Sequence, residues 1–115
     1  MKTRAAVAPA IGQPFQIDEV ELDEVRSHEV LVRIVGTGLC HTDLFFKDLI
    51  PLPAVFGHEG AGIVEKIGDA VTAVQPGDRV AISYNSCGVC KNCLKGMPCY
   101  CANFTALNYS GMRAD

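Results

Sequence analysis

Over its first half the chain alternates apolar and polar residues in short runs, the period expected of half-buried strands. Thr3 to Ala8 reads as a first strand. Gln16 to Leu22 alternates with one irregularity, its apolar members Ile17, Val20 and Leu22 standing among acids. Glu29 to Val35 is cleaner. Val30, Val32 and Ile34 share one face, Leu31, Arg33 and Val35 the other, and apolar residues on both faces predict a largely buried strand. Gly36 and Gly38 break it. Thr42 to Leu49 predicts a short helix with Thr42 as N-cap and Leu44, Phe45 and Leu49 as apolar positions; Pro51 and Pro53 end it.

Gly57 to Gly68 predicts a bent strand or a strand pair, with Ala61, Ile63, Val64 and Ile67 apolar. Glycines inside such a run mark bulges or close backbone approach. Gln75-Pro76-Gly77-Asp78 is a turn, and Arg79 to Ser83 returns as a strand. From Ser86 the chain becomes a cysteine-rich loop, followed by short irregular structure to Asp115. Five or six short strands separated by turns predict a mainly β domain, a small barrel or sandwich, with no repeat or interdomain linker.

Composition narrows the class. The chain has 115 residues, 49% apolar and 20% charged, which suits one folded domain rather than a disordered segment. A net charge of -3 argues against a nucleic-acid partner, which needs a basic face. No Lys/Arg run suits an anionic membrane surface, and no run of about 18 apolar residues could span a bilayer. Lys2 and Arg4 ahead of Ala8-Pro9-Ala10 superficially suggest a leader, but Pro9, Gly12 and Pro14 interrupt the apolar stretch such a leader needs. The expected location is the cytoplasm. Thiols stay reduced there, so the six cysteines point to metal more than to disulfides.

Those cysteines concentrate at Cys87, Cys90, Cys93, Cys99 and Cys101. Two ligands spaced by two residues let one tight turn aim both sulfurs inward, and here that spacing occurs twice in succession. A third such turn does not easily complete a tetrahedron, so a longer loop, Leu94 to Tyr100, must return the fourth ligand, Cys99 or Cys101. Four thiolates at about 2.3 Å suit a closed structural zinc site. Lys91, Lys95 and backbone N–H groups such as that of Gly88 can offset its charge. An iron–sulfur cluster, disulfides and a metal-free loop are the competing readings. A second constellation, Cys40-His41-Thr42-Asp43 with Gly57-His58-Glu59-Gly60, offers one thiol, two imidazoles and two carboxylates. Cys40 and His58 are suitable zinc ligands, though a catalytic site needs three. Alternatively, Cys40 is a small buried residue and His58 caps a turn.

Gly38-Leu39-Cys40-His41-Thr42-Asp43, Gly57-His58-Glu59-Gly60-Ala61-Gly62, Pro76-Gly77-Asp78-Arg79-Val80 and the cysteine lobe are together highly specific. Along nearly all its length the chain resembles the N-terminal, GroES-like domain of the medium-chain, zinc-containing alcohol dehydrogenases, and most of all the aryl (benzyl) alcohol dehydrogenases. The resemblance implies a partly open, mainly β barrel over residues 1–115 with short helices and a zinc lobe at 86–102. It implies a structural zinc on Cys87, Cys90, Cys93 and Cys101, leaving Cys99 as a free thiol. Cys40 and His58 would be catalytic zinc ligands, with Glu59 an alternative ligand beside them. Thr42 would bond the substrate hydroxyl and begin a proton relay, Asp43 would orient the His58 imidazole, and His41 would approach the cofactor pyrophosphate.

The resemblance also implies parts that these residues lack. The family's third zinc-ligand cysteine and its NAD-binding domain lie further on, and Gly36-Thr37-Gly38 lacks the third glycine of a dinucleotide fingerprint. The chain is therefore expected to be a fragment, inactive alone, of an NAD-dependent enzyme that oxidises primary, including aryl, alcohols to aldehydes. Its partner would be a small alcohol, and an oligomer is compatible with the family. Two departures stand out: the stretch between Cys40 and His58 is short for the family, and Phe45, near the place of a relay histidine in some members, cannot carry protons. The alternative function is a non-catalytic, structural-zinc interaction module.

Overall fold

Lys2–Ala8 (β1) and Gln16–Glu21 (β2) realise the first two predicted strands as an antiparallel pair, Lys2 opposite Glu21 and Val7 opposite Gln16, in a computed structural model that describes residues 1–109. Residues 110–115, part of the irregular tail expected from sequence, lie outside the described residues. On its other side β1 pairs with a two-residue strand, Ala54–Val55 (β4), giving a sheet of order β2-β1-β4. Ala8 is fully buried at that junction. At the open end the Met1 amine donates to the Leu22 carbonyl at 2.6 Å, and Lys2 pairs with Glu19.

A second antiparallel sheet joins Val30–Thr37 (β3), Gly60–Ile67 (β5) and Arg79–Ala81 (β6), in the order β3-β5-β6. Its register shifts between Leu31 and Val32 and again between Ile34 and Gly36, so the ladder bends as bulges require. Gly62 is obligatory at this bend, because a Cβ there would overlap the Arg33 carbonyl. The predicted turn forms as expected. Asp78 N–H donates to the Gln75 carbonyl at 3.1 Å, Pro76 sets the first central dihedral and Gly77 takes φ +97°. Gly77 N–H then reaches the Val64 carbonyl at 2.9 Å, docking the turn on β5 beside the buried Val64.

Several elements differ from their predicted form. The helix is His41–Phe46 (α1), and its N-cap is Cys40 rather than Thr42. The glycine-punctuated run is one strand beginning at Gly60, and the next strand ends at Ala81. The strand β3 is less buried than its apolar faces predict: Leu31 and Val32 are half-buried, while Ile34 on one face is 49% and Val35 on the other 64% exposed. After the cysteines begin, Lys91–Leu94 (α2), a 3-10 turn at Pro98–Tyr100 and Phe104–Tyr109 (α3) replace the expected irregular structure. Over the described residues the domain is mainly β, with three short helices and two sheets that do not close into a barrel. Among the described residues, buried side chains are few: Ala8, Val64, Cys101 and the carboxylate of Asp43. No described helix is long and apolar enough to cross a membrane.

Candidate functional site

The start of α1 is built around its own cap. Cys40 Sγ accepts the Thr42 N–H at 3.5 Å, and Asp43 Oδ2 accepts the Cys40 N–H at 3.0 Å. This reciprocal pair satisfies donors that a helix start leaves orphaned, and it places an acid where the helix dipole favours one. The other oxygen of the same carboxylate, Asp43 Oδ1, lies 3.4 Å from His58 Nδ1. One side chain, only 4% exposed, thus ties the helix start to the loop that enters β5.

That contact indicates which nitrogen of His58 is available. Nδ1 faces Asp43, which leaves the Nε2 lone pair available to a metal, and Nε2 sits 3.8 Å from Glu59 Oε1. Donor atoms of Cys40, His58 and Glu59 all lie within 4.8 Å of one another. A thiol, an imidazole and a carboxylate form a donor set suited to zinc, with room for a fourth ligand. A carboxylate behind the imidazole fixes its tautomer and ring orientation, as it commonly does for metal-bound histidines. Glu59 reaches this position because residue 38 is glycine. A Cβ there would overlap the Glu59 carboxylate, and Gly38 N–H holds the Glu59 carbonyl at 3.1 Å.

Of the three donors, His58 lines a cleft of about 150 Å³. Thr42 and Asp43 form its polar edge, and Phe46, Phe56, Tyr84 and Tyr109 its aromatic walls. Tyr84 stacks on His58, ring centroids 5.4 Å apart at 22°. Phe45 turns outward, 61% exposed, edge-on to Phe46. His41 is exposed at the first turn of α1.

In the cysteine lobe the structure brings Cys101, not Cys99, to Cys87, Cys90 and Cys93, with the four sulfurs within 4.8 Å of one another. Cys101 is buried and Cys99 exposed. Sulfurs of Cys87 and Cys93 are 4.0 Å apart, and those of Cys90 and Cys93 are 3.5 Å apart. A tetrahedron with bonds of about 2.3 Å has edges of about 3.8 Å, so the four sulfurs fit one ion. Backbone N–H groups already point at them: Cys87 to Cys101 Sγ at 3.4 Å, Cys90 to Cys87 Sγ at 3.3 Å and Ala102 to Cys90 Sγ at 3.5 Å. Gly88, at φ +70°, makes the turn that permits this.

The same N–H groups divide the thiols. Donation from Ala102 and Cys93 lowers Cys90 to about 6, and donation from Val89 and Cys90 lowers Cys87. Desolvation and the neighbouring Cys90 thiol push Cys93 up to about 11. Crowded sulfurs cannot all ionise without a cation nearby.

Sequence reasoning missed the aromatic walls and Asn108, which also lines the cleft. Tyr84 carried a faint signal, an aromatic just after a β run and three residues before Cys87. Asn108 carried none, because its role depends on a contact 23 residues away.

The alcohol dehydrogenase GroES-like domain family matches residues 26–115. Over 113 residues the chain is 45% identical to the geraniol dehydrogenase of Castellaniella defragrans, covering 96% of this chain and 30% of that protein. An alcohol dehydrogenase zinc-binding domain protein from Burkholderia ambifaria superposes with a TM-score of 0.96 at 49% identity, over 100% of this chain and 32% of that one. The benzyl alcohol dehydrogenase of Acinetobacter calcoaceticus superposes at 0.93 with 44% identity, over 99% of this chain and 34% of that one. The chain spans about a third of the length of these relatives.

Proposed function

The chain belongs to the alcohol dehydrogenase GroES-like domain family, and from that premise we propose that it is the alcohol-binding portion of a zinc- and NAD-dependent dehydrogenase. The reaction is oxidation of a primary alcohol, aryl alcohols included, to its aldehyde. NAD binding belongs to sequence beyond this chain, with His41 at the approach to the cofactor, so these residues alone do not turn over. A cytoplasmic setting, where thiols stay reduced, belongs to the same reading.

The observation that carries this reading is the double engagement of Asp43. It holds both the Cys40 backbone and His58 Nδ1, and so aims Sγ and Nε2 at a common point beside Glu59. Cys40, His58 and Glu59 would hold a zinc there, supplying Lewis acidity toward an alcohol oxygen. The chain's own residues do the rest. Thr42 presents its hydroxyl on the polar edge of the cleft, placed to accept the alcohol proton and pass it outward. Asp43 keeps the His58 Nδ1 proton in place, and the aromatic walls hold the carbon skeleton and exclude water. The four-cysteine lobe would hold a second, structural zinc and take no part in the chemistry.

Cobalt titration tests this. The first equivalent fills the lobe with a thiolate-rich spectrum. A second, weaker equivalent fills the cleft, and benzyl alcohol then shifts its ligand-field bands. Cleft bands indifferent to alcohol would favour the alternative, a non-catalytic zinc module.

A further inference from the structure

Asn108 uses its whole amide. Its Oδ1 accepts the Asn85 N–H at 2.8 Å, and its Nδ2 donates to the Asn85 carbonyl at 2.9 Å and the Phe104 carbonyl at 2.8 Å. One donor and two acceptors around it fix the amide's orientation without ambiguity. The clamp spans a particular stretch of chain. Asn85 follows Tyr84, the ring stacked on His58, and precedes the lobe by one residue. The helix α3 begins three residues after Cys101, with Phe104 N–H donating to the Cys101 carbonyl at 3.1 Å. The chain therefore leaves the cleft wall, passes through all four lobe cysteines, returns as α3 and is closed by Asn108.

What α3 delivers is the cleft's second wall. Phe104 packs on Tyr84 at 5.2 Å, and Tyr109 packs on Phe46 at 4.8 Å. Both Asn108 and Tyr109 line the cleft. Six residues reading Phe-Thr-Ala-Leu-Asn-Tyr do not sustain a helix in water, so α3 depends on its anchors. Those anchors are Cys101 at one end and the Asn108 clamp at the other.

We infer that Asn108 is a positioning residue that clamps α3 onto Asn85, so that metal loading of the cysteine lobe sets the aromatic wall of the His58 cleft. The inference rests on the reading of the lobe as a zinc site. It gives the lobe an influence on the cleft that its closed ligand set would not otherwise suggest.

The test uses the full chain in a Cys40→Ser/Glu59→Gln background, where zinc can enter only the lobe. Its three tyrosines, Tyr84, Tyr100 and Tyr109, are ring-labelled for NMR. With one equivalent of zinc, ring cross-peaks from Tyr84 to Phe104 and from Tyr109 to Phe46 are expected to appear, and chelation to remove them. Asn108→Ala should still bind one zinc, shift Tyr100 on loading and keep the β3 and β5 amide signals, yet lose both cleft cross-peaks. Asn108→Asp keeps the acceptor for Asn85 N–H and loses the two donations, so it should show weakened cross-peaks. Cross-peaks at full intensity in zinc-loaded Asn108→Ala overturn the inference, as do cross-peaks insensitive to zinc in the parent. A parent chain that takes up no zinc overturns the zinc reading and the coupling with it; uptake without a response in the cleft overturns the coupling alone.

Discussion

The cysteine lobe and the Cys40–His58 cleft are two donor sets of opposite construction. The lobe draws all four sulfurs from one stretch of fifteen residues, 87–101, and points backbone N–H groups at them from within that stretch. The second set draws its donors from the cap of α1 and the loop before β5, joined by Asp43, and the cleft beside them is walled by aromatics from those elements and from two further places, Tyr84 and Tyr109. A site made from contiguous chain needs little of the fold and is finished locally. A site made across elements inherits every register and cap between them, and this is where substrate chemistry can be tuned.

Breaking the lobe should have the largest effect. Cys101→Ser removes a buried ligand, and zinc content is expected to fall from one tightly held ion per chain toward none after dialysis, read by elemental analysis. Cys99→Ser should leave zinc content unchanged. The reverse result would exchange the two residues' roles. The cleft should respond instead to Asp43→Ala, which strands the Cys40 N–H and frees the His58 ring. About 10–100-fold weaker metal binding at the cleft is expected, with the lobe unchanged, in a cobalt titration.

Acidification separates the two regions differently. Cys93, held up near 11, must surrender its proton on loading at pH 7, whereas Cys90, lowered to about 6, is already ionised. Zinc uptake by the lobe should therefore release protons into a weakly buffered indicator solution. Affinity should fall as pH falls, and more steeply below about 6, where Cys90 also holds a proton that the metal must displace. The smallest effect is expected for Gly38→Ala. Its Cβ must displace the Glu59 carboxylate, the end of a flexible side chain, so cleft metal affinity should drop modestly while the lobe is untouched. Equal losses at both sites would show that the two regions are not separable.

The same contrast governs how much is legible in the sequence. Spacing alone identifies the lobe and narrows its fourth ligand to two candidates, because distances along a tight loop are set by few dihedrals. The Gln75–Asp78 turn is equally local, with Pro76 and Gly77 each at the position its dihedral demands. The cap of α1 is misassigned from sequence because Thr is the commoner capping residue, while here the Cys40 sulfur and the Asp43 carboxylate share that role. The strand β3 is expected inside because both its faces are apolar, yet apolarity states only that a face tends to be covered. The helix α3 is invisible, since most of its residues have weak helical preference and it is held by the bonds of its own Asn108 to the distant Asn85 backbone.

The lobe also behaves as a cross-link. A metal joining Cys87 to Cys101 closes a fifteen-residue ring, a restraint that in covalent form is worth about 3 kcal/mol through the unfolded chain's lost freedom. A covalent link holds regardless of surroundings, whereas this one obeys mass action. On the proposed zinc loading, each tenfold change in free zinc above the dissociation constant moves the stability of the loaded fold by about 1.4 kcal/mol. Stability of this region thus tracks the metal supply of its surroundings, and a chelator acts on it as a denaturant would.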